Sequence, residues 1–470
     1  MTPARLFGTD GIRAPFGGYP LDQATVTTLG RELAAMLAET SPDATGSGPT
    51  RGPLGPEVVL GGDTRFSTPQ LCAWLAAGLV AGGARVRFLG VVPTPAVAFV
   101  ARDTGAAAGV AVSASHNPWR DNGIKLLGGD GFKWATDDEA ALEDRLHAAE
   151  RDAAHCDADA AELLVDDAAV ERYIDALAAA LAGNPSGDAP LAGLRVALDT
   201  ANGAAAPFAG PLFERLGADV VLLHAAPDGR NINRDCGSTR PETLQREVVR
   251  RGCDFGVAFD GDADRALLVD ETGALRDGDT TLYLWAREMA RDGRLDPPRI
   301  VATSMSNLGL ERALARDGIG VERCGVGDRQ VVDTLRKEGL VLGGEQSGHI
   351  VHLGLSTTGD GMLTALQMAG LIARSGASLS ELLAGFERFP QVLENLRVRS
   401  KPPLESLPAV REAAAEVERE LGDEGRLVLR YSGTEPLARV MIEGPDQATI
   451  ERLADRVLAA IASELAESGP

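Results

Sequence analysis

The chain has 470 residues, with 46 Lys and Arg against 68 Asp and Glu, for a formal net charge of −22. That length exceeds what one hydrophobic core supports, so several domains are expected. A strongly acidic, aromatic-poor chain is unsuited to nucleic acid, whose phosphates it would repel and whose bases it could hardly stack.

The start, Met1 to Arg13, lacks the apolar core of a signal peptide, and the most apolar stretch, Leu71–Val80, is too short to span a bilayer. A cytoplasmic protein with no membrane partner is expected. Five scattered cysteines without a CxxC pair suggest neither a zinc site nor a disulfide framework.

Along the chain, apolar runs rich in β-branched residues recur at Glu57–Gly61, Ala84–Gly90, Gly109–Ser113, Arg195–Leu198, Ala218–Leu223 and Phe255–Phe259. Each is followed by a turn and a helical pattern, which predicts an α/β fold of parallel strands buried on both faces. Ser41–Pro56 reads as a flexible surface loop. Helices are expected from Thr136 to about Asp157, over Ala168–Ala182, Pro408–Leu421 and Leu453–Leu465. The strand–helix rhythm restarts near Arg195 and near Arg299, and the character changes past Leu379. Domain boundaries are expected near 158, 268 and 382, giving units 1–158, 159–268, 269–382 and 383–470.

Four motifs carry chemistry. Val112-Ser113-Ala114-Ser115-His116-Asn117-Pro118 sets a serine on a rigid corner after a strand, with Lys125 ten residues on; an ordinary serine-rich turn is the plain alternative. Asp260-Gly261-Asp262-Ala263-Asp264-Arg265 offers three carboxylates that suit Mg²⁺ or Ca²⁺. An EF-hand would also use Glu271, but it needs glycine where Arg265 stands. Gly343-Gly344-Glu345-Gln346-Ser347-Gly348-His349 is a polar loop suited to sugar hydroxyls. Arg430-Tyr431-Ser432-Gly433-Thr434-Glu435-Pro436 combines an arginine fork with hydroxyl and backbone donors for a phosphate. The other histidines, His147, His155, His224 and His352, read as solvent-facing or structural.

With these motifs, and with Leu6-Phe7-Gly8-Thr9-Asp10-Gly11-Ile12-Arg13, Asp199-Thr200-Ala201-Asn202-Gly203-Ala204, the segment Asn231–Thr239, Val326-Gly327-Asp328-Arg329 and Thr358-Gly359-Asp360-Gly361, the chain resembles the α-D-phosphohexomutase superfamily nearly end to end. The Cys-Gly-Ser-Thr segment, the opening motif and Gln346 point to the amino-sugar branch. The resemblance implies three related α/β modules and a smaller C-terminal α+β domain around a central cleft. The first module would carry the phosphoserine, the second the metal, the third the sugar-binding loop and the fourth a phosphate site. It implies conversion of glucosamine 6-phosphate to glucosamine 1-phosphate through phospho-Ser115 and a 1,6-bisphosphate, feeding UDP-N-acetylglucosamine synthesis.

By the same resemblance Ser115, Asp260, Asp262 and Asp264 would hold Mg²⁺, and Arg13, His116, Lys125, Arg265 and His349 would surround the transferring phosphoryl group. Gly327, Asp328, Glu345 and Ser347 would bind the sugar, and Arg430, Ser432, Gly433 and Thr434 the phosphate that does not react. Lys125, crowded by cations, is expected to have a depressed pKa and to act as general base. The partner is a small phosphosugar, with room for a homodimer. Gly62, Thr68, Arg240 and Tyr431 depart from the superfamily pattern. Rival readings are a phosphomannomutase or phosphoglucomutase, a Mg²⁺-dependent phosphatase and a non-catalytic phosphosugar-binding protein.

Overall fold

A computed structural model describes residues 5–8, 10–40, 55–149, 163–182, 189–432 and 436–465. Most of the expected loop Ser41–Pro56, the end of the helix begun at Thr136, His155 and the boundary near 158 lie outside the described residues. Most strands fall where the apolar runs predict. Phe255–Phe259 is buried at every position, as is Ala266–Asp270 beside it, and such all-apolar runs fit a sheet covered on both faces.

The sheets are mixed, not purely parallel, and the reason positions the site. In the first, Glu57–Gly62 pairs in parallel with Arg85–Val91 on one side and Ala108–Val112 on the other, and Asp121–Gly128 pairs antiparallel with Ala108–Val112. In the second, Arg195–Asp199 lies between Asp219–Leu223 and Phe255–Phe259, both parallel, and Ala266–Asp270 returns antiparallel. In the third, Arg299–Thr303 lies between Gly320–Cys324 and Leu342–Gly344, and Ile350–His352 returns antiparallel. Within each module, counting its own four strands, the order is fourth, third, first, second. Parallel neighbours need helical crossovers, but the antiparallel fourth strand needs only a short loop. Three such loops, residues 113–120, 260–265 and 345–349, hold three of the four motifs at equivalent places.

The C-terminal unit is an antiparallel sheet of Gln391–Arg397, Leu437–Glu443 and Arg426–Tyr431, covered by the helices Pro408–Leu421 and Gln447–Leu465. It joins the third module through Glu443, which is fully buried. Its carboxylate accepts from Asn307 Nδ2 at 3.0 Å, Leu308 N at 3.2 Å and Arg426 Nε at 3.0 Å. No helix among the described residues is long and apolar enough to cross a membrane.

Candidate active site

Ser115 sits on the first hairpin loop with φ = 52°, a left-handed conformation unfavourable for a residue with a side chain. Its carbonyl and that of Asn117 are held from two sides. Arg65 donates to them at 3.2 and 2.7 Å, and Asn233, from the second module, at 2.9 and 3.0 Å. Arg65 is itself anchored by a buried ion pair with Asp63, whose carboxylate also accepts from Ser113 Oγ at 2.6 Å. The Ser113 hydroxyl in turn accepts from Ser115 N at 2.9 Å. The serine is thus 1% exposed but rigidly presented.

Its hydroxyl donates to Asp260 Oδ2 at 2.6 Å, so the first and second hairpin loops meet. Gly261 permits the approach, since a Cβ there would lie 2.5 Å from the Ser115 carbonyl oxygen and 2.8 Å from Asn233 Nδ2. Asp260, Asp262 and Asp264 are all buried and offer oxygens within 4.8 Å of one another. Burial and the charges of Asp264 and Asp262 push the Asp260 carboxyl well above the usual range. Asp262 Oδ1 and Asp264 Oδ1 are buried without any hydrogen-bond partner. Orphaned hard oxygens converging in one turn fit a divalent cation. Glu271, the twelfth position of the rejected EF-hand, instead binds Ser380 at its own end of the strand.

The cations expected around the serine are present, but their charge balance differs from expectation. Lys125 Nζ lies 2.9 Å from Asp262 Oδ2, 3.5 Å from Asp264 Oδ2 and 3.2 Å from Asp10 Oδ2. Burial disfavours its charge, yet these three carboxylates outweigh burial and hold its pKa well above the ordinary value. The depressed pKa expected of Lys125 is therefore reversed, because the chain brings acids, not cations, around it. Thr94 Oγ1 adds a 2.7 Å bond to Asp262 Oδ2. Arg265 donates to His116 Nδ1 at 3.2 Å, and that nitrogen is 3.4 Å from Ser115 Oγ. Burial, then Arg265 and Arg13, lowers the His116 pKa to about 4. His349 lies 3.7 Å from Asp264 Oδ2 through Nδ1 and accepts from Gly359 N at 3.1 Å through Nε2.

Arg13, His116, Asp264, Arg265, Gly327, Asp328 and Glu345 line one cleft of about 610 Å³ where the three modules meet. Glu345 accepts from Gly327 N at 3.1 Å, and Asp328 is ion-paired with Lys133, which also binds Asp10. Ser347 keeps a buried, unpartnered hydroxyl oxygen, while Gln346 turns to the buried Asp279 at 3.4 Å. Arg430 and Ser432 are not among the residues lining this cleft, and Gly433 and Thr434 lie outside the described residues. Arg430 stands opposite Arg439 across the strands, with Nε buried and unpartnered. Like charges directly opposed are unfavourable unless an anion comes between them. Tyr431, one of the departures from the superfamily pattern, alternates to the other face and bonds the Pro402 carbonyl at 2.7 Å.

Sequence reasoning passed over Asp10, Asp63, Arg65, Thr94 and Asn233. The Asn231–Thr239 segment was visible as a motif, but nothing local says that it and Asp63-Thr64-Arg65 grip the serine loop. His224, read as solvent-facing or structural, lies 2.9 Å from Asp199.

This arrangement of a strained serine, three carboxylates and ringed cations defines an α/β enzyme class that transfers phosphoryl groups on sugars. Models of the phosphoglucomutase/phosphomannomutase domains match in chain order: alpha/beta/alpha domain I over residues 4–153, domain II over 171–273, domain III over 277–389 and the C-terminal domain over 393–460. The chain belongs to the phosphoglucomutase/phosphomannomutase family. It is 44% identical to a phosphoglucosamine mutase of Koribacter versatilis over 97% of this chain and 96% of that one. Among solved structures, a family protein from Burkholderia thailandensis superposes with a TM-score of 0.78 at 25% identity, covering 98% of each chain. An Aspergillus fumigatus N-acetylphosphoglucosamine mutase, solved with GlcNAc-6P and magnesium, superposes with a TM-score of 0.64 at 18% identity, covering 97% of this chain and 95% of that one. Relatives and fold together make the chain an intramolecular phosphotransferase.

Proposed function

We propose that the chain interconverts glucosamine 6-phosphate and glucosamine 1-phosphate, with Ser115 carrying the phosphoryl group through a 1,6-bisphosphate. The observation that carries this reading is the Ser115 hydroxyl, 2.6 Å from Asp260 and backed by a doubly clamped loop. Relatives named phosphoglucosamine mutase, matched over nearly the whole chain, support the choice of amino sugar. Asp260, Asp262 and Asp264, joined by phosphorylated Ser115, would hold Mg²⁺, which neutralises charge on the phosphoryl oxygens when bound.

The chain's own groups account for the remaining work. In the forward half-reaction the bond from phosphorus to Ser115 Oγ breaks as the sugar hydroxyl oxygen bonds to phosphorus. Arg13 and Arg265 face that charge from the cleft. The hydroxyl's proton leaves toward His116, which is uncharged at neutral pH, and not toward Lys125, whose ammonium three carboxylates retain. The proton taken up by His116, whose Nδ1 lies 3.4 Å from Ser115 Oγ, passes to that oxygen as it leaves phosphorus and restores the hydroxyl that hydrogen-bonds Asp260. The bisphosphate turns over in the cleft and returns its other phosphate to Ser115. Arg430, Ser432, Gly433 and Thr434 are assigned to the phosphate that waits. The reading places the enzyme in the cytoplasm, acting on small phosphosugars.

The test is intact mass and phosphopeptide mapping of the purified protein, with turnover of Ser115→Ala. Phosphate on Ser115, and loss of turnover with an unchanged melting temperature, are expected; wild-type turnover by the variant would refute the assignment. Rates on glucosamine 1-phosphate, glucose 1-phosphate and mannose 1-phosphate decide against the second reading, a phosphoglucomutase or phosphomannomutase, which the Burkholderia neighbour's family keeps open. Release of inorganic phosphate without isomerisation would instead point to the phosphatase.

A further inference from the structure

Behind the serine and aspartate loops, the second module gathers another set of ligand-type side chains. Asp199 ends the strand Arg195–Asp199, His224 follows the strand Asp219–Leu223, and Cys236 precedes the turn Gly237–Thr239. One ligand atom from each lies within 4.8 Å of the other two. Asp199 and Cys236 are fully buried, whereas the His224 side chain is 28% exposed and gives access from solvent. Backbone amides fix the carboxylate: Ala201 N donates to Oδ1 at 2.9 Å and Gly237 N to Oδ2 at 3.0 Å. His224 Nδ1 is 2.9 Å from Asp199 Oδ2, and this buried nitrogen has no other partner among the described residues. The Cys236 sulfur has only a weak contact, from Asn202 Nδ2 at 3.8 Å. None of the three lines the cleft.

We infer that Asp199, His224 and Cys236 bind a thiophilic divalent transition-metal ion of the zinc type, at a site separate from the three aspartates. The donor chemistry sorts the two sites. The aspartate loop presents only hard oxygens, which suit Mg²⁺, while sulfur, imidazole nitrogen and one carboxylate suit zinc or cobalt. Three protein ligands leave a fourth, tetrahedral position for water on the His224 side. Binding needs the thiolate, so the Cys236 proton passes to buffer as the sulfur–metal bond forms. The spacing hid the site: its ligands come from residues 199, 224 and 236, three separate segments with no CxxC.

The ion would brace the serine loop from behind. Asn202 accepts from Thr64 Oγ1 at 2.6 Å through its carbonyl, and Asn233, on the segment leading to Cys236, holds the Ser115 carbonyl. A metal joining strand end, turn and this segment would stiffen that support. The competing account is a trio that merely holds the turn and takes up no metal.

The experiment uses the full-length protein, stripped by chelator and then kept in saturating Mg²⁺ to occupy the aspartate loop, with Co²⁺ added stepwise. Expected is a thiolate-to-cobalt charge-transfer band in the near ultraviolet that saturates at one equivalent and is displaced by Zn²⁺. The band should be absent in Cys236→Ser, at least tenfold weaker in affinity in His224→Ala, and retained in Asp262→Asn. His224→Ala removes a partly exposed side chain, so it decides the matter should Cys236→Ser fail to fold. No charge-transfer band in the wild type, a band unchanged in His224→Ala or Cys236→Ser, or a band lost in Asp262→Asn would each overturn the inference.

Discussion

Asn233→Ala isolates the clamp on the serine loop. The substitution removes two donors, at 2.9 and 3.0 Å, from the carbonyls of Ser115 and Asn117, but each carbonyl keeps Arg65. No acceptor is orphaned, so the global cost should be about 1–3 kcal/mol, two bonds at about 0.5–1.5 kcal/mol each. The local effect is larger in proportion. Ser115 is held at φ = 52°, a conformation that itself costs about 1–3 kcal/mol and persists only while its surroundings enforce it. Releasing one of two clamps by about 1.4–2.8 kcal/mol lowers the population of the aligned serine by about 10–100-fold. Because Asn233 does not line the cleft, the loss should fall on kcat, with KM little changed. Steady-state kinetics with glucosamine 1-phosphate, alongside thermal melting, measures both. Arg65→Ala should differ in kind, since it strands the buried Asp63 charge at a cost of about 3–5 kcal/mol and should appear first in the melting temperature. If Asn233→Ala keeps kcat within about twofold of wild type, the clamp does not position the serine.

Asp262→Asn keeps the shape that Lys125 and Thr94 grip but removes a charge, so turnover should fall by roughly 100-fold or more, with half-saturation by Mg²⁺ shifted upward. An unchanged Mg²⁺ activation curve would count against the metal assignment. Asp279 is held at a pKa of about 7 by burial and then by the Asp277 charge. Its protonated form therefore stabilises the fold at low pH, and that contribution is lost as pH rises from about 4 through about 7. Against Asp279→Asn, wild-type stability by denaturant titration should drop by up to about 1.4 kcal/mol per pH unit across that window; parallel profiles would disprove it. A Cβ on Gly62 would lie 2.6 Å from both Thr68 Cγ2 and the Val112 carbonyl oxygen, so Gly62→Ala should cost about 1–3 kcal/mol. Thr68→Gly should recover part of this and not all, because the backbone oxygen stays; a double-mutant cycle with no coupling would refute that pairing.

The legible parts of the site were those whose residues share one turn. Three aspartates within five positions must converge, and a serine after an all-apolar strand must sit at a corner. What sequence could not supply was the partner across the fold. Thr94 meets Asp262 across 168 positions, and Asn233 meets Ser115 across 118. Lys125 shows the physical consequence. Judged by the basic residues gathered with it in one motif set, it looked destined for a depressed pKa. The fold places it on the antiparallel strand Asp121–Gly128, against Asp10, Asp262 and Asp264, and the sign reverses. The two departures Gly62 and Thr68 likewise look unrelated in sequence, yet one vacates the space that the other fills, and Thr68 Oγ1 spends that space on a 3.1 Å bond to Asp63.

The strand order explains why three separate loops meet. A loop from the third to the fourth strand of each module leaves the carboxyl end of a central parallel strand, where α/β sheets expose their crevices. Turning into an antiparallel strand keeps that loop short and therefore stiff, unlike a helical crossover. Three copies of one hairpin, brought mouth to mouth, then divide the chemistry: Ser115 on the first, the aspartates on the second, Glu345 and His349 on the third. Only residues at the contact between copies, such as Gly261 against the Ser115 carbonyl, are constrained by more than one loop at once. That is where a single added methyl group would separate the hydroxyl from the carboxylates while leaving every sheet intact.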